Sequence, residues 1–164
     1  MQQHKWRYFA DGIYSAKMRA FNFLIVLFLF TLGSCAKEER NPNTPNVYIN
    51  ILINPNSTQY QPLNTAGGWM YITSDLPSRG IIVHRINQTE FVAFDRIPPN
   101  EPNKCCTGNN CTRLIVGEHY PFAKDTCTGT TYSLLDGSIF QGTGRWWMIR
   151  YNTSYNGGML RIFN

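Results

Sequence analysis

The stretch CTGTTYSLLDGSIFQGTGRWWMIRY, residues 127–151, decides how this chain is read. It runs from Cys127 past Gly129 into the strand-like Thr131–Leu134, then to an Asp136-Gly137 turn, Ile139-Phe140, a glycine loop at Gly142 and the aromatic run Trp146–Tyr151. Asp-Gly is a hairpin signal, because the pair tolerates the positive φ of a tight turn. Short β-branched and aromatic runs between such turns favour strands. The stretch predicts a small antiparallel β-unit with one thiol at its entrance.

Outward from it the same grammar repeats. Strands are predicted over Val47–Ile53, stopped by Pro55, and over Trp69–Ile72 after the Gly67-Gly68 pair. Gly80–Ile86 and Glu90–Asp95 flank Asn87-Gln88-Thr89, a connection of hairpin length. Arg113–Val116 and Met159–Phe163, the latter after an Asn156-Gly157 turn, complete the set. Outside the N-terminus no stretch holds a 3.6-residue apolar period, and no repeat is present. Many short strands with glycine turns imply an all-β sandwich or barrel. Two segments break the rhythm: residues 97–110 (IPPNEPNKCCTGNN) and residues 117–128 (GEHYPFAKDTCT). Long loops in a small domain are usually functional or pinned. These two carry Cys105, Cys106 and Cys127, and Cys111 directly follows the first, which accounts for every cysteine except Cys35.

The N-terminus reads as a leader. Arg19, the apolar run Phe23–Phe30 and then Leu32-Gly33-Ser34-Cys35 have the layout of a signal peptide. The apolar span is too short for a membrane-crossing helix, which needs roughly 20 residues. Met18 is the better start, because it leaves a leader of ordinary length. Leu-Gly-Ser-Cys resembles the lipobox of bacterial lipoproteins, which implies removal of residues 1–34, acylation of Cys35 and a lipid-held position on the bacterial outer membrane. Ala36-Lys37-Glu38-Glu39 is similar to a short signal for surface exposure. Residues 36–46, charged and rich in Asn and Pro, read as a tether, and the domain as residues 47–164.

Without the leader the chain keeps eleven Lys and Arg and nine Asp and Glu, a formal net charge of +2. That balance, with no run of like charge, gives no reason to expect a nucleic-acid partner.

The order from about Gly68 to Phe163 resembles Rieske-type [2Fe-2S] ferredoxin domains. Phe91-Val92-Ala93-Phe94-Asp95 matches the strand before that family's first ligand loop. Gly129-Thr130-Thr131-Tyr132, Asp136-Gly137, Gly142 and Tyr151 match the segment after its second loop. The resemblance implies a Rieske-like antiparallel β-sandwich with a small rubredoxin-like β-subdomain formed by the two cysteine loops. A Rieske cluster requires two thiolates and two imidazoles, and the ligand positions depart from that pattern. Arg96-Ile97-Pro98 stands in place of the first Cys-x-His, Asp125 in place of the second cysteine, and Thr128, before Gly129, in place of the second histidine. The expectation is a Rieske-like frame without its cluster.

The four remaining thiols have competing readings. In an exported domain disulfides come first; Cys105, Cys106, Cys111 and Cys127 allow three pairings, and sequence does not choose among them. A bridge from Cys127 to the first loop would hold what the cluster holds in the family. A Cys111–Cys127 bridge, for example, would contribute about 3 kcal/mol by loop entropy. Vicinal Cys105 and Cys106 are expected to find different partners. The alternatives are a zinc site on Cys106, Cys111, His119 and Cys127, or an intact or altered [2Fe-2S] centre.

Other candidates are weaker. Trp69, Trp146, Trp147, Tyr151, Tyr155 and Phe163 offer a stacking platform for a sugar or a peptide, although alternation sends one of Trp146 and Trp147 inward. His84 reads as a half-exposed strand residue, and Asp95 with Arg96 as an ion pair at the loop mouth. No paired carboxylates and no nucleophile–base motif point to an enzyme. The functional expectation is a lipid-anchored envelope module, structural or binding, with a protein or glycan partner. The rivals are an electron-transfer protein and a surface glycan binder.

Overall fold

The computed structural model describes residues 39–75 and 77–164. The readings of a leader over 1–34, a start at Met18 and a lipid on Cys35 lie outside the described residues. Eleven strands follow in order: β1 (Asn50–Ile53), β2 (Trp69–Ile72), β3 (Ile81–Arg85), β4 (Phe91–Asp95), β5 (Cys106–Thr107), β6 (Asn110–Cys111), β7 (Phe122–Lys124), β8 (Thr131–Ser133), β9 (Ile139–Gln141), β10 (Arg150–Tyr155) and β11 (Leu160–Phe163). Only short 3-10 turns, Thr58–Leu63 and Gly117–His119, interrupt them among the described residues. The fold is all-β. No helix among the described residues is long and apolar enough to cross a membrane.

Six strands form one curled antiparallel sheet in the order β1-β11-β10-β4-β3-β2. β7, β8 and β9 form a second, smaller sheet, and β5 and β6 a hairpin. One core lies within the curl, where Ile81, Val83, Phe91, Ala93, Tyr151, Leu160 and Ile162 meet Ile49, Ile53 and Leu63. A second core fills the space between the other face of β3 and β4 (Ile82, Val92, Phe94) and the small sheet and its flanks (Leu114, Val116, Ala123, Tyr132, Leu134, Met148). β3 and β4 are therefore buried on both faces. Their near-continuous apolar sequences, IIVHR and FVAFD, follow from this, because a strand with no wet face has no reason to alternate.

Several expectations need correction. His84 is buried, at 2% exposure, because its face of β3 is covered by the small subdomain. Residues 41–46 do not hang free as a tether. Asn41 Nδ2 donates to Pro99 O at 3.1 Å and Asn43 Nδ2 to the same oxygen at 2.9 Å, so the folded unit begins at Arg40. The aromatic strand is displaced: 146–149 form no regular strand, Met148 N–H bonds Gly137 O in the turn of the small sheet, and regular pairing starts only at Arg150. Residues 113–116 make one isolated bridge, Ile115 to Lys124. The two long loops contain β5, β6 and β7, strands of two and three residues that are too short to leave a period in the sequence.

Candidate functional site

The two cysteine loops leave the ends of β4 and β7 and are joined covalently. Cys105 is bonded to Cys127, with Cα atoms 5.8 Å apart, within the ordinary span of a disulfide. Cys106 is bonded to Cys111 across the β5–β6 hairpin, where the two are register partners. The vicinal pair thus takes different partners, and Cys127 reaches the first loop through Cys105 rather than Cys111.

The second loop is built on Asp125. This carboxylate is buried, at 1% exposure. Its Oδ1 accepts the Cys127 backbone N–H at 2.9 Å and its Oδ2 accepts the Thr128 hydroxyl at 2.7 Å. Its backbone closes the same turn, with Gly129 N–H donating to Asp125 O and Asp125 N–H to Thr130 O, each at 2.8 Å. Gly129 takes φ +78°, which lets the chain reverse without a Cβ clash. A charged acceptor bonding both a backbone amide and a hydroxyl makes a strong local clamp. Thr130 Oγ1 donates to Thr143 O at 3.0 Å and ties this turn to the glycine loop.

The first loop is pinned by backbone and amide contacts. Asp95 is fully buried; its Oδ2 accepts the Tyr151 hydroxyl at 2.6 Å and its Oδ1 the Ile97 N–H at 2.7 Å. Burial, followed by the hydrogen bond to Asp95, pushes the Tyr151 phenol well above its ordinary range. The expected Asp95–Arg96 ion pair does not form. Arg96 instead lays its guanidinium 3.8 Å over the Tyr71 ring and donates Nε–H to Leu114 O at 3.1 Å. Ile97, Pro98 and Pro99 are buried beyond it. Asn100 then acts as a hub: its Oδ1 accepts from the Arg145 and Trp146 N–H groups, and its Nδ2 donates to Tyr132 Oη and Trp146 O. No sequence signal marks Asn100 among the many asparagines.

The donor set of the two loops matches neither cofactor that the sequence raises. A Rieske centre needs two thiolates and two neutral imidazoles, yet all four cysteines of these loops are bonded to one another. His84 donates Nδ1–H to Leu134 O at 3.1 Å, while its buried Nε2 has no partner among the described residues. Burial holds its pKa below the usual value. For zinc, Cys106 and Cys111 bond each other, Cys127 bonds Cys105, and only the half-buried His119, on the Gly117–His119 turn, keeps a free donor atom of that proposed set. Among the described residues no group of three or more His, Cys, Asp or Glu is placed to hold a metal ion. The residues as arranged do not fit either metal.

The aromatic residues do not assemble into one platform. Tyr151 and Tyr155 belong to the core within the curl, whereas Trp69 packs against the second core. Phe163 lies under the Arg161 guanidinium at 4.9 Å and Trp146 under that of Arg145 at 4.7 Å. Trp146 is half-buried and Trp147 is 59% exposed, so the adjacent pair does divide. An aromatic feature that sequence did not reveal is Phe122 stacked on Phe140 at 4.1 Å across β8, with Phe140 62% exposed. No protein-family model matches this chain, nor does any curated protein sequence.

Proposed function

We propose that this chain is a lipid-anchored envelope protein whose β-domain is a Rieske-like frame without the cluster, serving as a structural or binding module rather than an enzyme. The observation that carries the reading is the Cys105–Cys127 bridge. It ties the loop after β4 to the loop after β7, the pair that holds the cluster in the family the sequence resembles. The family's ligand positions support it further. Asp125 and Thr128 bond each other, Arg96 is stacked on Tyr71, and Pro98 is buried. The lipid on Cys35 rests on the lipobox resemblance alone.

Iron analysis and visible absorbance of the aerobically purified chain test the frame: a colourless protein with iron far below stoichiometry is expected, and a brown one with two irons per chain overturns the reading. Labelling with an alkyne fatty acid tests the anchor. Incorporation is expected in the wild type and absent in Cys35→Ser, and equal labelling of both sinks the lipoprotein assignment.

The exposed Trp147 and the Phe122–Phe140 stack favour a second reading, a surface glycan binder. It requires that a sugar quench tryptophan fluorescence in the wild type and not in Trp147→Ala.

A further inference from the structure

We propose that Arg79, Arg96 and Arg113 form a binding site for a phosphate group, carried by a soluble phosphate compound or by an anionic lipid headgroup. The site is independent of the reading proposed above, since it uses neither the thiols nor the anchor.

The three arginines come from separate segments that lie side by side. Arg96 N–H donates to Gly80 O at 2.9 Å on one flank, and Leu114 N–H donates to Arg96 O at 2.8 Å on the other. Arg79 reaches across to the third segment, donating Nη1–H to Thr112 O at 2.8 Å. It also reaches the cysteine loop, donating Nη1–H to Pro102 O at 2.7 Å and Nη2–H to Asn103 Oδ1 at 3.1 Å, which leaves Nε and one Nη2 hydrogen for a ligand. Backbone carbonyls thus hold two of the guanidiniums in place, so little side-chain freedom remains to be lost on binding. Arg96 has its ring-facing side on Tyr71 and its Nε on Leu114 O, which leaves both Nη groups without a hydrogen bond among the described residues. Arg113 is exposed and has no hydrogen bond or ion pair among the described residues.

The charge at this place is not balanced internally. Burial lowers the pKa of Arg79 and Arg96, and the positive charge of Arg113 lowers both further. The one carboxylate acting against these effects is Asp95, and its oxygens are already bonded to Tyr151 and the Ile97 amide. Three guanidiniums and one carboxylate leave a local charge of about +2, which matches a phosphate monoester with about −1.5 to −2 at neutral pH. Arginine is suited to the task because its planar fork meets two oxygens at once. A carboxylate ligand would leave half of that charge unmatched.

The test is thermal unfolding of the full chain at fixed ionic strength, titrating inorganic phosphate against chloride, with Arg113→Gln and, as an exposed control, Arg150→Gln. The expected result is a saturable rise of about 3–5 °C in the wild type and in Arg150→Gln. Arg113→Gln should show no rise, and in dilute phosphate-free buffer it should melt above the wild type, because a repulsive charge has been removed. Co-sedimentation with phosphatidylcholine vesicles, with and without phosphatidylglycerol, separates the sources. Extra binding to the anionic vesicles that Arg113→Gln loses assigns a headgroup, whereas a saturable phosphate effect without it assigns a soluble ligand. A phosphate effect that does not saturate, or that Arg113→Gln retains, together with no Arg113-dependent vesicle binding, overturns the proposal.

Discussion

At the scale of single residues, buried polar groups set the behaviour of the domain. The Tyr151 hydroxyl is one of two donors to the buried Asp95 carboxylate. Its removal leaves a charged acceptor under-satisfied away from water. Tyr151→Phe is expected to lower stability by about 2–3 kcal/mol, read from urea unfolding. A loss below about 0.5 kcal/mol, the lower bound for an ordinary bond, would show that the carboxylate finds another donor. Both groups were visible in the sequence, but their pairing was not, because β4 and β10 are far apart in the chain and meet only in the sheet. His84 makes the converse point. Its imidazole is neutral in the fold, with its pKa held below the ordinary 6.5 by burial. The unfolded chain therefore binds the proton more readily, and stability must fall as pH drops through about 6.5 toward the lowered folded value. Urea unfolding from pH 8 to pH 5 should show this slope in the wild type and a flatter one in His84→Gln, whose amide does not titrate. An identical slope in both would place the effect elsewhere.

At the scale of elements, the two loops are held by different means. The Cys105–Cys127 bridge spans 22 residues and the Cys106–Cys111 bridge spans 5. Loop entropy ranks them, with about 3.4 kcal/mol for the longer closure and about 2 kcal/mol for the shorter. Replacing Cys105 and Cys127 by Ser should therefore lower the unfolding free energy more than replacing Cys106 and Cys111. The opposite ranking would mean that the hairpin bridge has the larger structural role. Asn100 supplies a non-covalent counterpart, because its side chain makes four bonds to segments 32 to 46 residues away. Asn100→Ala leaves several of those groups unpaired and is expected to lower stability by about 2–4 kcal/mol in the same assay. The long cysteine loops stood out by their length and composition, and that they are pinned by disulfides was legible. Their internal strands and their pairing were not, since two-residue strands have no period to detect.

At the scale of the whole folded unit, the boundary moved. Residues 41–46 read as tether because nothing in AKEERNPNTPN is apolar enough to demand burial. Asn41 and Asn43 nevertheless dock by hydrogen bonds onto Pro99 and Asn100, the turn that leads into the cysteine loop. A chain starting at Val47 should therefore be less stable than one starting at Arg40 by about 1–3 kcal/mol, from the loss of two to three net hydrogen bonds. Equal unfolding midpoints would restore the original boundary. The curled sheet itself shows close approach at its join with the small unit: Gly137 sits at φ +82°, and a Cβ there would come within 2.7 Å of Phe94 Cε1. The Asp-Gly signal announced a turn, and the structure adds that this turn is packed against β4.

What the sequence by itself determined was the all-β class, the places of most turns and the two cysteine loops as the segments that break the strand rhythm and are pinned by disulfides. These depend on local chemistry, namely strand propensity, glycine at positive φ and thiols in a domain read as exported, and local chemistry is written residue by residue. Only the tertiary structure decided which cysteine bonds which, that His84 lies inside rather than half outside, and that three arginines from three segments share one place. Each of these depends on which distant segments become neighbours when β3 and β4 are covered on both faces. That second covering comes from Leu114 to Met148, 20 to 66 positions downstream, and leaves no mark on the strands it buries beyond their lack of alternation.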